Sequence, residues 1–332
     1  MKRIKDIIKN DFNGVVSVSK NGESIFKKAY GYADLPNKRP NQADSIFEVA
    51  SGSKAFVATG IMKLIEDGKL SLCSPISTLL DFDLKQISPN ITVRQLLTHT
   101  SGIPDYFDES VIDDMTELWA NFPNYRIRRP SDMIPLFIDK PMMYSPGERF
   151  QYNNTGYTVL AIILEKVTGM DFDKFLSQLI FEPCGMKRTG YYELDRLPAN
   201  CATAYIFDEE RNQYFSNIYS TNVKGDGAGG VYTTVEDVER FWAHFLAGNI
   251  VSKNTVKEMT SVQALDEDDG GYGYGFWLGG DNNDIPYFQG SDPGISFLSS
   301  YDNNGLFVCA VSNFADDVWE IHSDVRKSLY AE

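Results

Sequence analysis

A serine hydroxyl and a lysine amine three positions apart can meet where the chain between them is helical, and not where it is extended. Ser51-Gly52-Ser53-Lys54 stands at the head of a helical stretch, with apolar residues following at Ala55, Phe56, Val57, Ile61, Met62, Leu64 and Ile65. That spacing predicts a helix starting at or beside Ser51 with an apolar stripe toward a core. On one helical face the Ser51 and Lys54 Cβ atoms would lie roughly 5–6 Å apart. A hydroxyl becomes a useful nucleophile when a neighbour can take its proton. The N–H groups of a first helical turn lack partners inside the helix and favour a negative oxygen formed there. A nucleophile, a base and an anion site are compatible with this stretch, and so is a helix cap beside a solvated lysine.

The same spacing recurs in Ser17-Val18-Ser19-Lys20. That stretch has period two and reads as a strand, where residues three apart point to opposite faces. Tyr152-Asn153-Asn154, directly before another predicted helix, brings in a phenol. A phenol titrates near ~10 and a lysine amine near ~10.4, so neither is a base at neutral pH until burial or nearby positive charge changes its proton affinity. Packed together, Lys54 and Tyr152 would each lower the other's affinity for protons. Read alone, Tyr152 is a core aromatic and Asn154 an N-cap. Tyr301-Asp302-Asn303 repeats the pattern but runs into the turn Asp302-Asn303-Asn304-Gly305, which accounts for it.

Periodicity supplies the elements that must hold these groups. Residues 2 to 10 read as a short amphipathic helix with Ile4, Ile7 and Ile8 inward, and Gly14 to Lys20 and Ser24 to Tyr32 as a hairpin turning at Asn21-Gly22. Asp67-Gly68 ends the Ser51 helix, and Thr92-Val93-Arg94-Gln95 is a capping box opening a short helix through Thr98. Residues 105 to 150 are loop-rich, with helical patches near 111 to 120 and 131 to 138; long irregular segments often wall a site. Helices follow over Asn154 to Thr168, Phe172 to Phe181, and from a Thr234 cap through Phe245. Period two returns in Tyr272 to Leu278, Ile285 to Gln289, Ile295 to Tyr301 and Leu306 to Asn313, before a closing helix from Asp316 to Tyr330. The expected fold is α/β (α+β): an antiparallel sheet built from both termini and flanked by helices, with an inserted, mainly helical lobe. The expected division of this single unit is an α/β lobe of residues 1–55 and 230–332 and a helical lobe of residues 56–229.

Composition narrows the function. At 332 residues, 42% apolar and 23% charged, the chain is ordinary globular protein. Its 46 acidic and 31 basic residues give a formal charge of −15, which opposes binding to nucleic acid or an anionic membrane. No apolar run reaches signal-peptide or membrane-spanning length, so a soluble, cytoplasmic protein without a transmembrane segment is expected. Cys73, Cys184, Cys201 and Cys309 are scattered and read as reduced, buried thiols. A Ser-His-Asp hydrolase is disfavoured: only His99, His244 and His322 exist, with no Gly-x-Ser-x-Gly elbow, and His99 reads as a loop brace. Gly225-Asp226-Gly227-Ala228-Gly229-Gly230 contains GxGxxG but follows no apolar strand, so a nucleotide site is not expected. The acidic run Asp266 to Asp269 and the basic run Arg126, Arg128, Arg129 read as solvated loops. No metal or cofactor is expected.

Five segments occur in an order that resembles the serine β-lactamase-like superfamily of class C β-lactamases, penicillin-binding proteins, D-Ala-D-Ala carboxypeptidases, D-aminopeptidases and related esterases. They are Phe47 to Lys54; Leu96-Leu97-Thr98-His99-Thr100-Ser101-Gly102-Ile103-Pro104; Tyr152-Asn153-Asn154; Gly229-Gly230-Val231-Tyr232-Thr233 with Asp237; and Gly290-Ser291-Asp292-Pro293-Gly294. The resemblance implies Ser51 as the acylated nucleophile, Lys54 and Tyr152 as the proton-handling pair, and Asn154 as a partner of Lys54 and substrate. It implies an oxyanion hole from the Ser51 and Ser291 N–H groups, and a small-molecule ester, peptide or β-lactam as substrate. One element departs. The family's Lys-Thr-Gly or His-x-Gly, which helps bind substrate, is replaced by Phe288-Gln289-Gly290, losing the cation that would hold a substrate carboxylate. Esterase or peptidase action therefore ranks close to D-Ala carboxypeptidase action, and a non-catalytic or slowly acylating penicillin-binding module is the alternative.

Overall fold

The computed structural model describes residues 4–108 and 116–330. Its central sheet has eight antiparallel strands: β1 (Gly14–Lys20), β2 (Glu23–Tyr30), β3 (Ala264–Leu265), β4 (Gly271–Tyr272), β5 (Trp277–Gly279), β6 (Ile285–Asp292), β7 (Ile295–Tyr301) and β8 (Leu306–Ser312). They lie in the order β2-β1-β8-β7-β6-β5-β4-β3. The amino-terminal hairpin thus joins the carboxy-terminal strands through β1 and β8, paired from Gly14 with Ser312 to Lys20 with Leu306. The mixed α/β fold with a large antiparallel sheet flanked by helices is as expected from the sequence.

There are four longer helices among the described residues, α1 (Ser53–Glu66), α2 (Asn154–Thr168), α3 (Val235–Ala247) and α4 (Val318–Tyr330), of which α3 and α4 lie against strands β1, β7 and β8. Val16 and Val18 pack with Leu298 and Val308 against Val318, Ile321 and Val325 of α4. On the opposite face, Val15 joins the larger core with α1, α2 and α3. The sequence predicts one apolar stripe on α1, yet all its residues except Lys63, Ile65 and Glu66 are buried. A helix enclosed all round belongs to a large interior. Phe56 on α1 meets Phe181, Phe241 and Phe288 at ring-centroid distances of 5.3, 4.8 and 5.9 Å, and truncating such a side chain costs about 3–5 kcal/mol.

Several expectations are corrected. Tyr272 to Leu278 is not one strand but the β4–β5 hairpin. Gly275 turns it with φ +83°, and a Cβ there would lie 2.4 Å from the Ala58 Cβ and 3.2 Å from the Lys54 carbonyl oxygen, so the reversal against α1 requires glycine. β6 runs on through Gly290-Ser291-Asp292. Phe172–Leu176 is α-helical but continues as a π-helical turn, Ser177–Phe181, while Pro130–Leu136 is a 3-10 helix. Thr116–Trp119 forms one helical turn; the remainder of the expected patch, 111 to 115, lies outside the described residues. Cys73 is exposed, whereas Cys184, Cys201 and Cys309 are buried. Among the described residues no helix is long and apolar enough to cross a membrane.

Candidate active site

The chain enters the site through Phe47–Glu48, paired with Tyr232–Thr233. The Val49 N–H then donates to the Val231 carbonyl at 3.0 Å, and the Val231 N–H to Ser53 Oγ at 2.9 Å. These bonds fix both ends of the 3-10 turn Ala50–Gly52 that leads into α1. Ala50 within it has φ +45°, a left-handed conformation that costs a non-glycine residue about 1–2 kcal/mol. β6 crosses directly above. A Cβ on Gly290 would lie 2.3 Å from the Val49 carbonyl oxygen and 2.7 Å from the Ser51 nitrogen, so only glycine lets the strand approach the turn this closely.

Lys54 is 3% exposed. Its Nζ lies 2.9 Å from Ser51 Oγ, 2.8 Å from Asn154 Oδ1 and 2.8 Å from the Ala228 carbonyl oxygen. The last two oxygens can only accept, so they take two N–H bonds while a third position of the nitrogen faces Ser51. As an ammonium, Lys54 donates to Ser51; as an amine, it accepts the serine proton. Both protonation states satisfy the contacts, an arrangement suited to proton exchange between the two side chains. Nζ also lies 4.8 Å from the centre of the Tyr152 ring.

Asn154 can face Lys54 because it is not the cap. Asn153 caps α2, its side chain accepting from the Gly156 N–H at 2.8 Å. The Asn154 N–H donates to Asp105 Oδ2 at 2.7 Å, and the Thr155 N–H and hydroxyl each donate to Oδ1 at 3.1 Å. Burial pushes the Asp105 carboxyl up to about 6 against these bonds. His99 holds the other side. Its carbonyl accepts from the Gln151 N–H at 2.9 Å, and its Nδ1 accepts from the Asn153 N–H at 3.0 Å, so one residue grips the chain on both sides of Tyr152. Its ring lies 4.5 Å from that of Tyr152. Burial, and then the Lys54 charge, hold the imidazole well below its ordinary value, which keeps Nδ1 an acceptor. The loop brace read from the sequence is thus a brace for Tyr152.

The family description "Beta-lactamase" matches residues 4–319. The chain belongs to the beta-lactamase family. It is 31% identical over 285 residues to "Penicillin-binding protein 4*" of Bacillus subtilis, covering 81% of this chain and 60% of that one. It is 30% identical over 310 residues to "Putative penicillin-binding protein PbpX" of the same organism, covering 89% and 68%. The chain thus spans about three fifths of the first relative's length and two thirds of the second's. A solved penicillin-binding protein from Bacillus halodurans superposes with a TM-score of 0.93 at 34% identity, covering 99% of this chain and 100% of that one. A D-amino acid amidase from Ochrobactrum anthropi has the same fold at 22% identity, with a TM-score of 0.79, covering 99% and 97%.

Against the beta-lactamase family pattern, the structure separates the three residues expected to bind substrate. Gln289 and Gly290 line a cavity of about 300 Å³ together with Ser51, Ser291, Tyr152, Trp277 and Trp319. Phe288 does not: it is 2% exposed and packs among Phe56, Phe241, Trp242, Phe276 and Phe297. The alternation of β6 turns this position toward the aromatic core, so a phenylalanine there completes the core where the family has a cation. A narrower recess on the other side of Ser51 is lined by Tyr106, Asn154, Asp226, Ala228, Gly229 and Asp292. Glu48 is buried nearby; burial and the Asp292 carboxylate push its own carboxyl up to about 8.

The Arg128 guanidinium pairs with Glu193 and Asp195 on the surface, as its solvated reading predicts. The glycine segment has a use the sequence did not disclose: the Ala228 carbonyl holds Lys54. Asp266 folds its own loop, accepting from the Gly270 and Asp268 N–H groups at 2.6 and 3.0 Å. Among the described residues no group of His, Cys, Asp or Glu could hold a metal. Asp105, Trp277 and Trp319 escaped the sequence reading, since nothing in their own neighbourhoods marks them as facing Ser51 or its partners.

Proposed function

We propose that the protein is a serine hydrolase that cleaves an ester or amide through an acyl-enzyme on Ser51. The observation that carries this reading is Lys54 Nζ held by Asn154 and Ala228 while it contacts Ser51 Oγ. Ser51 Oγ bonds to the substrate carbonyl carbon, whose double-bond pair moves onto the oxygen; that pair then re-forms the double bond as the bond to the leaving oxygen or nitrogen breaks. The serine proton passes to the Lys54–Tyr152 pair, and Tyr152 returns a proton to the leaving group. The Ser51 and Ser291 N–H groups carry the negative oxygen between these steps. Water then attacks the acyl carbon, releases the acid and restores Ser51. Intact-mass measurement after exposure to a fluorophosphonate should show one adduct in the native protein and none in Ser51→Ala. Turnover of a simple ester should fall at least ~10⁴-fold in that variant. An adduct that persists without Ser51 sinks the proposal.

A second reading, a penicillin-binding module that acylates without turning over, is supported by the likeness to penicillin-binding proteins, and the burial of Phe288 in place of a carboxylate-binding cation counts against it. A benzylpenicillin adduct on Ser51 that survives for hours, with no ester turnover, would support it.

A further inference from the structure

The two sides of Ser51 differ in chemistry. On the side that holds Tyr152, the cavity of about 300 Å³ is bordered by two indoles, Trp277 and Trp319, and among its described lining residues none is charged. This volume lies at the small end of ligand cavities, about 300–1,000 Å³. Trp277 is fixed from several directions: stacked with Tyr152 at 6.0 Å and 16° between planes, set edge-on to Tyr272 at 4.9 Å, and stacked with Tyr287 at 6.5 Å. The Trp319 Nε1–H donates to Gln289 Oε1 at 2.6 Å. With its polar atom committed to β6, Trp319 offers the cavity apolar ring surface. The recess on the far side holds Asp226 and Asp292 and no lysine or arginine among its described lining residues.

We propose, resting on the acyl-enzyme reading above, that Trp277 and Trp319 form the leaving-group subsite and that it takes an uncharged aromatic group. The leaving group belongs here because Tyr152, which returns its proton, borders this cavity and not the recess. An aromatic ring gains stacking and burial against the two indoles. A carboxylate on the leaving group meets aromatic surface, a carboxamide and serine hydroxyls but no cation among the described lining residues, because the position where the family has a cation is Phe288, in the core. The preferred substrate class is therefore an ester or amide of a neutral aromatic alcohol or amine, not of an amino or hydroxy acid.

Three acetyl esters of similar intrinsic reactivity test this: benzyl acetate, methyl acetate and the acetyl ester of glycolate, each rate divided by its hydroxide-catalysed rate. The native protein should prefer benzyl over methyl about ten- to a hundred-fold in kcat/KM and should turn over the glycolate ester no faster than the methyl ester. In Trp277→Ala and in Trp319→Ala the benzyl-to-methyl ratio should fall to within about threefold, whatever the absolute rate. A native ratio near one, a preference for the glycolate ester, or a ratio unchanged in both variants overturns the subsite. Failure of fluorophosphonate to label the native protein would instead sink the acyl-enzyme reading. The subsite is still decided in that case, because benzyl acetate added to Ser51→Ala should quench tryptophan fluorescence saturably where the glycolate ester does not, and equal responses overturn it.

Discussion

Ser17-Val18-Ser19-Lys20 and Ser51-Gly52-Ser53-Lys54 have the same serine-to-lysine spacing and end in opposite arrangements. In β1, Ser17 lies on the side of the sheet where Val15 joins the main core, and Ser19 donates on that side to Glu239 of α3. Lys20 emerges on the other side, its Nζ 5.2 Å from the centre of the Tyr330 ring of α4. In the turn before α1 the hydroxyl and the amine converge to 2.9 Å. The spacing carries no chemistry of its own; the local backbone period decides whether the two groups share a face. The second difference lies in what surrounds each lysine. Lys20 meets a ring at the surface, whereas Lys54 meets two oxygens that can only accept, brought from α2 and from the glycine segment.

The sharpest way to break this contrast is to give both lysines the same substitution. Lys54→Met should lower kcat for ester turnover about 10²–10⁴-fold, the usual contribution of a positioned acid–base group. The substitution also takes a donor from the buried Asn154 and Ala228 oxygens, and a buried acceptor that loses its donor costs about 1–3 kcal/mol, so its melting temperature should fall. Lys20→Met should leave kcat within about twofold and stability within about 0.5 kcal/mol. Steady-state kinetics with thermal denaturation on both variants reads the result. Comparable losses of kcat would mean that the helical copy has no special role.

Much of this arrangement was legible in the sequence because it rests on local rules. The period of two or 3.6 separates the two copies, and the capping box appears as expected, with the Gln95 N–H donating to Thr92 Oγ1 and the Thr92 N–H to Gln95 Oε1. What stayed hidden depends on contacts made across the chain. The Ala228 carbonyl is a backbone atom with no side-chain signature, 174 positions from Lys54. Asp105 reaches α2 across about fifty residues. The sequence offered Asn154 as the cap, and only the turn geometry gives that place to Asn153 and turns Asn154 to Lys54. Phe288 could be seen to lack a charge, but its place in the aromatic core follows from the register of β6, which runs further than its period-two stretch suggests.

Two histidines, His99 buried and His322 half-buried, extend the comparison into pH dependence. His99 braces Tyr152 beside the helical copy, while His322 on α4 lies behind the sheet, its Nε2 2.7 Å from Ser300 Oγ. Burial holds His99 well below its ordinary value, and burial with the Arg326 charge pushes His322 down to about 3. Both are therefore neutral in the folded chain and titrate near ~6.5 when unfolded. Below that pH the unfolded chain binds more protons, so stability is present above about 6.5 and declines as pH falls, by up to about 1.4 kcal/mol per pH unit for each histidine. His99→Gln and His322→Gln should each remove one such increment from the acid slope of denaturant unfolding between about pH 6 and 4. Only His99→Gln should also lower kcat, by about 10- to 100-fold, because it releases the segment carrying Tyr152. Equal kcat in the two variants would show that the grip on Gln151 and Asn153 does not position the phenol.

The smallest expected effect is at Ser17, and it completes the contrast. Its side chain is fully buried, and its Oγ has no hydrogen-bond partner among the described residues. A buried hydroxyl without a partner opposes folding by its own desolvation, on the order of 1 kcal/mol. Ser17→Ala should therefore leave stability unchanged or raise it by up to about that amount, with labelling at Ser51 as fast as in the native protein. The same change at Ser51 removes the proposed nucleophile. If Ser17→Ala instead lost more than about 1 kcal/mol in denaturant unfolding, its hydroxyl would be making a bond across β1. The strand copy would then be a structural polar contact and not a spacing that arose without consequence.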